Sequence, residues 1–266
     1  MSNEKQIAYW NEVAGPKWVK SGDAMEARLA AINDLLLARA APRPGDFILD
    51  IGCGTGTTAR PFAAAGAYVT GIDISAPMLS VARARGGNIT YLEADAQTHD
   101  FGHKKFDAMI SRFGVMFFSD PVAAFKNLRR ALTETGRLTF ICWAPLADNP
   151  HWQIPFDIAC ARLGHPRAPG PLAFADAAYV QSVLSDAGFS NMTVTPTPVP
   201  IIGESLEAES KIACLFGPAG ALIEEKKPDD ATRGELLETI SQALVQFKTE
   251  TGLSSPATVH VVTAEK

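Results

Sequence analysis

One short stretch limits the possible folds of this 266-residue chain more than any other. Asp50-Ile51-Gly52-Cys53-Gly54-Thr55-Gly56 follows an apolar run at 47–51 and opens a helical segment reaching about residue 65. Gly52 and Gly54 permit positive φ and let a ligand approach the backbone closely. The helix N-terminus beyond them offers unpaired N–H groups. A strand, a glycine turn and a helix in this order predict an α/β sheet with a ligand crevice at its carboxyl end.

The rest of the pattern agrees. Strand candidates at 67–72, 89–92, 106–111 and 137–143 alternate with helix candidates at 77–85 and 121–132. Such alternation predicts a parallel sheet with helices on both faces. Before the glycine turn, Met25, Leu29, Ile32 and Leu36 recur at helical spacing, so a helix is expected over 23–40. Asp23 and Glu26 read as its N-terminal capping pair. After the sheet come a helix at 176–187, a strand at 192–199 broken by prolines, a largely helical stretch at 205–250 and a last strand at 258–263. The late strands are expected to add an antiparallel edge. The sum is a Rossmann-like, seven-stranded, mostly parallel sheet.

One domain is expected over 1–266. Residues 1–44 form an N-terminal cover and helix, and 45–145 a cofactor-binding half. The segments 146–174 and 204–250 are surplus to the alternation and read as helical cap insertions over the crevice.

Composition narrows the function. The net charge of −5 argues against a nucleic-acid binder, which needs a basic face. No apolar run is long enough to span a membrane, and the first residues lack a signal peptide's apolar core. Cys53, Cys142, Cys160 and Cys214 are widely spaced, which suits reduced thiols of a cytoplasmic protein and no metal site.

The glycine loop alone would also suit a dinucleotide. A dinucleotide fingerprint, however, wants Gly or Ala where this chain has Thr57. A carboxylate at Asp50 would repel a pyrophosphate and favour a ligand with ammonium and sulfonium charges. Asp73, at the tip of the second strand, can accept both ribose hydroxyls or serve the turn before the next helix. Asp95, at the third, can accept an adenine amine while the Ala96 N–H donates to a ring nitrogen. An NAD-dependent oxidoreductase stays as a rival to be separated by ligand binding.

These residues make the chain resemble the class I S-adenosylmethionine-dependent methyltransferases of the small-molecule type, related to those of ubiquinone and menaquinone biosynthesis. The resemblance runs through ILDIGCGTG (48–56), VTGIDISAPMLSVAR (69–83), YLEADAQTHDF (91–101), FDAMISRFGVMFFSDPVAAFKNLRRAL (106–132) and GRLTFICW (136–143). It implies that Asp50 and the backbone of Gly52, Cys53, Gly54 and Gly56 hold the methionine part of S-adenosylmethionine. It implies that Asp73 holds the ribose, that Ile74 and Met78 flank the adenine, and that Asp95 and Ala96 read its edge. Ser111, Arg112 and Phe113 would border the methyl group, and Trp18 would close over the methionine end or pack as an ordinary core aromatic.

The implied reaction is methyl transfer to a small-molecule acceptor by a monomer or homodimer, with S-adenosylhomocysteine as product. A protein that binds the cofactor without transferring methyl is the alternative. No catalytic group stands out. Arg112 could bind a carboxylate or join an ion pair with Asp120 or another acid. His151 could be a general base above the crevice or a histidine at a helix start.

Overall fold

The computed structural model describes residues 3–103, 105–166 and 172–266. The N-terminal segment forms α1 (Glu4–Glu12), α2 (Ala14–Arg28) and α3 (Ala30–Ala40). The expected helix at 23–40 therefore has a break at Leu29, which leaves helical geometry with φ −100° and ψ 8°. Gly22, at φ 41°, kinks α2 just before Asp23, where the sequence suggests a helix start. Asp23 and Glu26 do not cap it. Their carboxylates pair with Arg85 at 2.7 Å and Arg112 at 2.8 Å, because the charged partners across the crevice outcompete exposed N–H groups.

The alternating half follows: β1 (Phe47–Ile51), α4 (Ala59–Ala64), β2 (Tyr68–Asp73), α5 (Ala76–Ala84), β3 (Ile89–Glu93), β4 (Phe106–Arg112), α6 (Pro121–Ala131) and β5 (Leu132–Trp143). Then come α7 (Pro150–Leu163), α8 (Ala177–Asp186), β6 (Ser190–Gly203), α9 (Leu206–Leu215), α10 (Gly217–Lys226), α11 (Asp230–Leu244), β7 (Lys248–Thr249) and β8 (Gly252–Glu265). Within the expected 146–174 insertion, α7 fills 150–163, and residues 167–171 lie outside the described residues.

The strands lie in the order β3-β2-β1-β4-β5-β8-β6. The first five are parallel, and β8 runs antiparallel to both β5 and β6. The sheet has eight strands rather than seven. The addition is β7, a two-residue piece pairing with the start of β8 and too short to leave a periodic signal. β1 sits where the strand order reverses, with β2 on one side and β4 on the other, so its carboxyl end faces a crevice. Ile48, Leu49, Met109, Ile110, Leu138 and Phe140 are fully buried, which explains why these strands read as continuous apolar runs.

β6 extends through Pro196, Pro198 and Pro200, where the sequence suggests a broken strand. Among the described residues its only strand neighbour is β8. Residues two apart turn the same way, so all three proline nitrogens face the free side and no ladder bond is lost.

Helices α7, α9, α10 and α11 pack on one another rather than on the sheet alone. Ala159, Ala219 and Leu222 form one small core between α7 and α10. Ala213, Ile240, Leu244 and Leu253 form another between α9, α11 and the start of β8.

Candidate functional site

A cavity of about 560 Å³ opens at the carboxyl ends of β1, β2 and β4. Gly52, Cys53, Gly54 and Thr55 form its floor. All three glycines of the loop have positive φ: 67° at Gly52, 54° at Gly54 and 76° at Gly56. Gly52 also meets Gly114 from the end of β4 so closely that a Cβ on it would lie 2.7 Å from the Gly114 Cα. Two glycines are needed for the β1 and β4 ends to touch.

Ser111 ties the same junction. Its hydroxyl donates to the Ile51 carbonyl at 2.7 Å and accepts the Gly114 N–H at 3.1 Å. It is fully buried and does not line the cavity. Asp50 and Gly56 are also absent from the cavity wall. The Asp50 carboxyl is fully buried, with no hydrogen-bond partner on either oxygen among the described residues. Burial raises its pKa to about 7, against the pull of nearby Arg112 and with the push of Asp73 and Glu26.

The other residues expected to bind cofactor come together on the wall: Trp18, Asp73, Ile74, Met78, Asp95, Ala96, Arg112 and Phe113. The Asp73 carboxylate accepts the Gly54 N–H at 2.7 Å and the Ser75 N–H at 2.8 Å. Those bonds hold the tip of β2 against the glycine loop and fix the direction of the remaining lone pairs. Burial nevertheless raises the Asp73 pKa, opposed by these same backbone bonds. Asp95 accepts the Gln97 N–H at 2.9 Å, which closes a tight turn after β3.

Arg112 pairs with Glu26 of α2, not with Asp120, which caps α6 by accepting the Ala123 N–H. Phe113 follows with φ 64°, unusual for an aromatic residue, and stacks on Trp143 with ring centroids 4.4 Å apart. His151 does not line the cavity. It is buried against Trp143 and Trp152, and burial pushes its pKa well below the usual value, with Arg28 adding to the push. The ring is therefore neutral at physiological pH.

Several wall residues come from segments with no motif. α1 and α2 lie across the opening and are latched to the turn after β2. Asn11 donates to the Ile74 carbonyl at 2.8 Å and accepts the Ala76 N–H at 2.9 Å, while Ser75 donates to the Trp10 carbonyl at 2.9 Å. Trp18 meets Phe216 edge to face. Lys17 pairs with Glu224 of α10 at 2.5 Å, and Arg28 with Glu209 of α9 at 2.8 Å. The guanidinium of Arg28 also lies 4.8 Å over Trp152. A signal for Arg28 existed: it falls three residues after Met25 and four before Ile32, on the apolar face of its helix. Trp10, Glu26 and Phe216 left no comparable mark.

The wall divides chemically. Around the glycine loop, acids prevail: Asp73, Asp95 and Glu26 against Arg112. Farther out, Lys17 and Arg28 each have a glutamate partner, and the surface is aromatic: Trp18, Phe113, Trp143, Trp152 and Phe216. No cluster of His, Cys, Asp and Glu among the described residues could hold a metal ion. No described helix is long and apolar enough to cross a membrane.

Residues 49–140 match a methyltransferase domain family. The chain spans about half the length of the curated relatives it matches. An uncharacterised protein of Mycobacterium bovis is 33% identical over 124 residues, 45% of each chain. Demethylmenaquinone methyltransferase of Renibacterium salmoninarum is 30% identical over 136 residues, 51% of this chain and 57% of that one. Among solved structures, magnesium protoporphyrin IX methyltransferase of Synechocystis with bound S-adenosylhomocysteine superposes with a TM-score of 0.56 at 17% identity, covering 99% of both chains. A Haemonchus contortus phosphoethanolamine N-methyltransferase complex gives 0.53 at 20% identity, over 88% of this chain and 52% of that one. At such identities these structures speak for the fold, and the fold agrees with the sequence match. Residues 49–140 are thus similar to a methyltransferase domain family, and the fold around them is the one these solved structures share.

Proposed function

We propose that this protein transfers a methyl group from S-adenosylmethionine to a small-molecule acceptor, giving S-adenosylhomocysteine. The observation that carries this reading is the half-buried Asp73 carboxylate. It stands at the β2 tip on the cavity wall, held by the Gly54 and Ser75 N–H groups. A carboxylate so fixed can accept a pair of ribose hydroxyls. Asp95 and Ala96 stand at the next strand end, with Ile74 and Met78 between, which suits an adenine held by its edge and faces. The acid excess around the loop suits a cationic cofactor and disfavours a pyrophosphate.

The cofactor supplies an activated methyl on a sulfonium, and the departing thioether is neutral. What the chain must do is align the acceptor and exclude water. We assign the acceptor side to α7, α9, α10 and the α9–α10 junction, where Trp152, Leu215, Phe216 and Pro218 line the outer cavity. The paired charges there suit a small apolar acceptor and offer no basic track to a nucleic acid. Ser111 and Asp50 support the loop from behind instead of touching ligand. Neither His151, buried and neutral, nor Arg112, engaged by Glu26, is assigned a proton-transfer role.

Calorimetry with S-adenosylhomocysteine and with NAD tests the cofactor, and release of S-adenosylhomocysteine from S-adenosylmethionine plus a metabolite pool tests the transfer. Binding of NAD alone would overturn the reading. Tight S-adenosylhomocysteine binding with no product from a broad acceptor panel would favour a binding protein.

A further inference from the structure

The amino-acid end of the cofactor needs a counter-ion for its ammonium, and the wall shows which group is placed to give it. Asp50 is fully buried behind the wall, Asp73 and Asp95 are taken by the ribose and the adenine in the proposed reading, and Glu224 is paired with Lys17. Glu26 remains. Its Oε2 accepts from Arg112 Nη2 at 2.8 Å and its Oε1 from the Thr55 hydroxyl at 3.2 Å, so it bridges α2, the glycine loop and the end of β4. The backbone beneath is held in place: Arg85 bonds the Thr55 carbonyl and hydroxyl and the Thr57 hydroxyl while pairing with Asp23 one turn earlier in α2.

An α-amino acid carries its two opposite charges on one carbon. Its complement is an acid and a base set equally close, and Glu26 with Arg112 is such a pair. The second terminal nitrogen of Arg112 has no partner among the described residues, so the guanidinium has donors to spare. We propose that Glu26 and Arg112 together read the amino-acid end of the cofactor, the Glu26 carboxylate taking its ammonium and the Arg112 guanidinium its carboxylate. This rests on the reading of the cavity as an S-adenosylmethionine site. It gives the N-terminal cover a recognition role, since Glu26 lies outside the family-matching segment.

Two ligands separate the ends of the site. S-adenosylhomocysteine has the amino-acid end, and 5′-methylthioadenosine has the same adenosine and thioether without it. Calorimetry on the full chain should show wild type binding the first far more tightly than the second. Glu26→Gln and Arg112→Gln should each weaken S-adenosylhomocysteine roughly ten- to hundredfold, the range for losing a charged hydrogen bond. Each should leave methylthioadenosine within about twofold, the size of an unresolved perturbation. Decarboxylated S-adenosylmethionine, which keeps only the ammonium, should feel Glu26→Gln and be indifferent to Arg112→Gln.

Equal losses for both adenosine ligands, or an unchanged S-adenosylhomocysteine affinity in Glu26→Gln, would overturn the assignment. So would a wild-type protein that binds both ligands equally, a result needing no variant at all. A wild type that binds neither would remove the parent reading as well.

Discussion

Phe113 lies nearly parallel to Trp143, their planes 11° apart, and it reaches that position only by adopting a positive φ of 64°. Left-handed backbone costs a non-glycine residue about 1–2 kcal/mol. The stacking and burial of the ring offset that cost.

Truncating the ring therefore inverts the usual ranking of small residues. Phe113→Ala loses the stack and keeps the strain, whereas Phe113→Gly loses both. The glycine variant should be the more stable of the two by about 1 kcal/mol. Paired urea titrations decide it; a more stable alanine variant would show that the φ is relaxed without the ring.

Asp50 gives a stability that depends on pH. Its folded pKa, raised to about 7, exceeds the ordinary carboxyl value, so the native state holds this proton more tightly than the unfolded chain. The resulting stabilisation is complete below about pH 4, near the unfolded pKa, and is lost as pH rises through 7. Asp50→Asn, which cannot ionise, should gain on wild type steadily between those limits. The difference in urea midpoint at pH 5 and pH 8 measures this, and a constant difference would mean that the carboxyl ionises normally.

Asp73→Ala should cost both affinity and fold. The carboxylate holds the Gly54 and Ser75 N–H groups, so its loss leaves two donors without a partner, at about 1–3 kcal/mol each. Thermal unfolding should fall, and S-adenosylhomocysteine binding should weaken at least tenfold by calorimetry. Unchanged affinity in a folded variant would refute the ribose assignment.

The latch between α1 and the turn after β2 should govern how fast the cofactor leaves. Asn11→Ala removes the bonds to the Ile74 carbonyl and the Ala76 N–H. Gly15→Ala places a Cβ 2.1 Å from the Trp10 carbonyl oxygen and 2.4 Å from the Ser75 hydroxyl, which forces the two segments apart. Both variants should speed S-adenosylhomocysteine dissociation in stopped-flow displacement. Wild-type release from both would mean that this cover does not bear on the ligand.

Arg28 and Glu209, exposed by only 3% and 5%, form a buried pair between α2 and α9. Arg28→Met alone should destabilise by about 3–5 kcal/mol, since it leaves a buried carboxylate without its cation. The double change Arg28→Met with Glu209→Leu should recover most of that loss. A double variant as unstable as the single one would show that packing against Trp152, not charge, is what Arg28 provides.

The half of the site built from neighbouring residues was legible in the sequence. Gly52, Gly54, Asp73 and Asp95 lie at the ends of consecutive strands, where a strand-turn-helix pattern fixes their place on the cavity wall. What distant segments bring in was not. Glu26 reaches Arg112 across 86 positions, and its own neighbourhood reads as an amphipathic helix start. Asp50 shows a different limit. Its position in the motif suggests a ligand contact, and only the structure shows that its strand is buried on both faces, with the carboxyl off the cavity wall. The fold class was plain from alternation, while β7 and the continuation of β6 through its prolines depend on partners that periodicity does not record.

Those prolines have a consequence for how copies of the chain meet. Along 196–200 the outer rim of β6 carries carbonyl acceptors and no N–H donor, because each outward-facing nitrogen belongs to a proline. An extended strand from another molecule would find only half of a hydrogen-bonding ladder there. The β6 border of the sheet is thus self-terminating along this stretch, and crowding or partial unfolding elsewhere should not lead the sheet to grow strand by strand from that side.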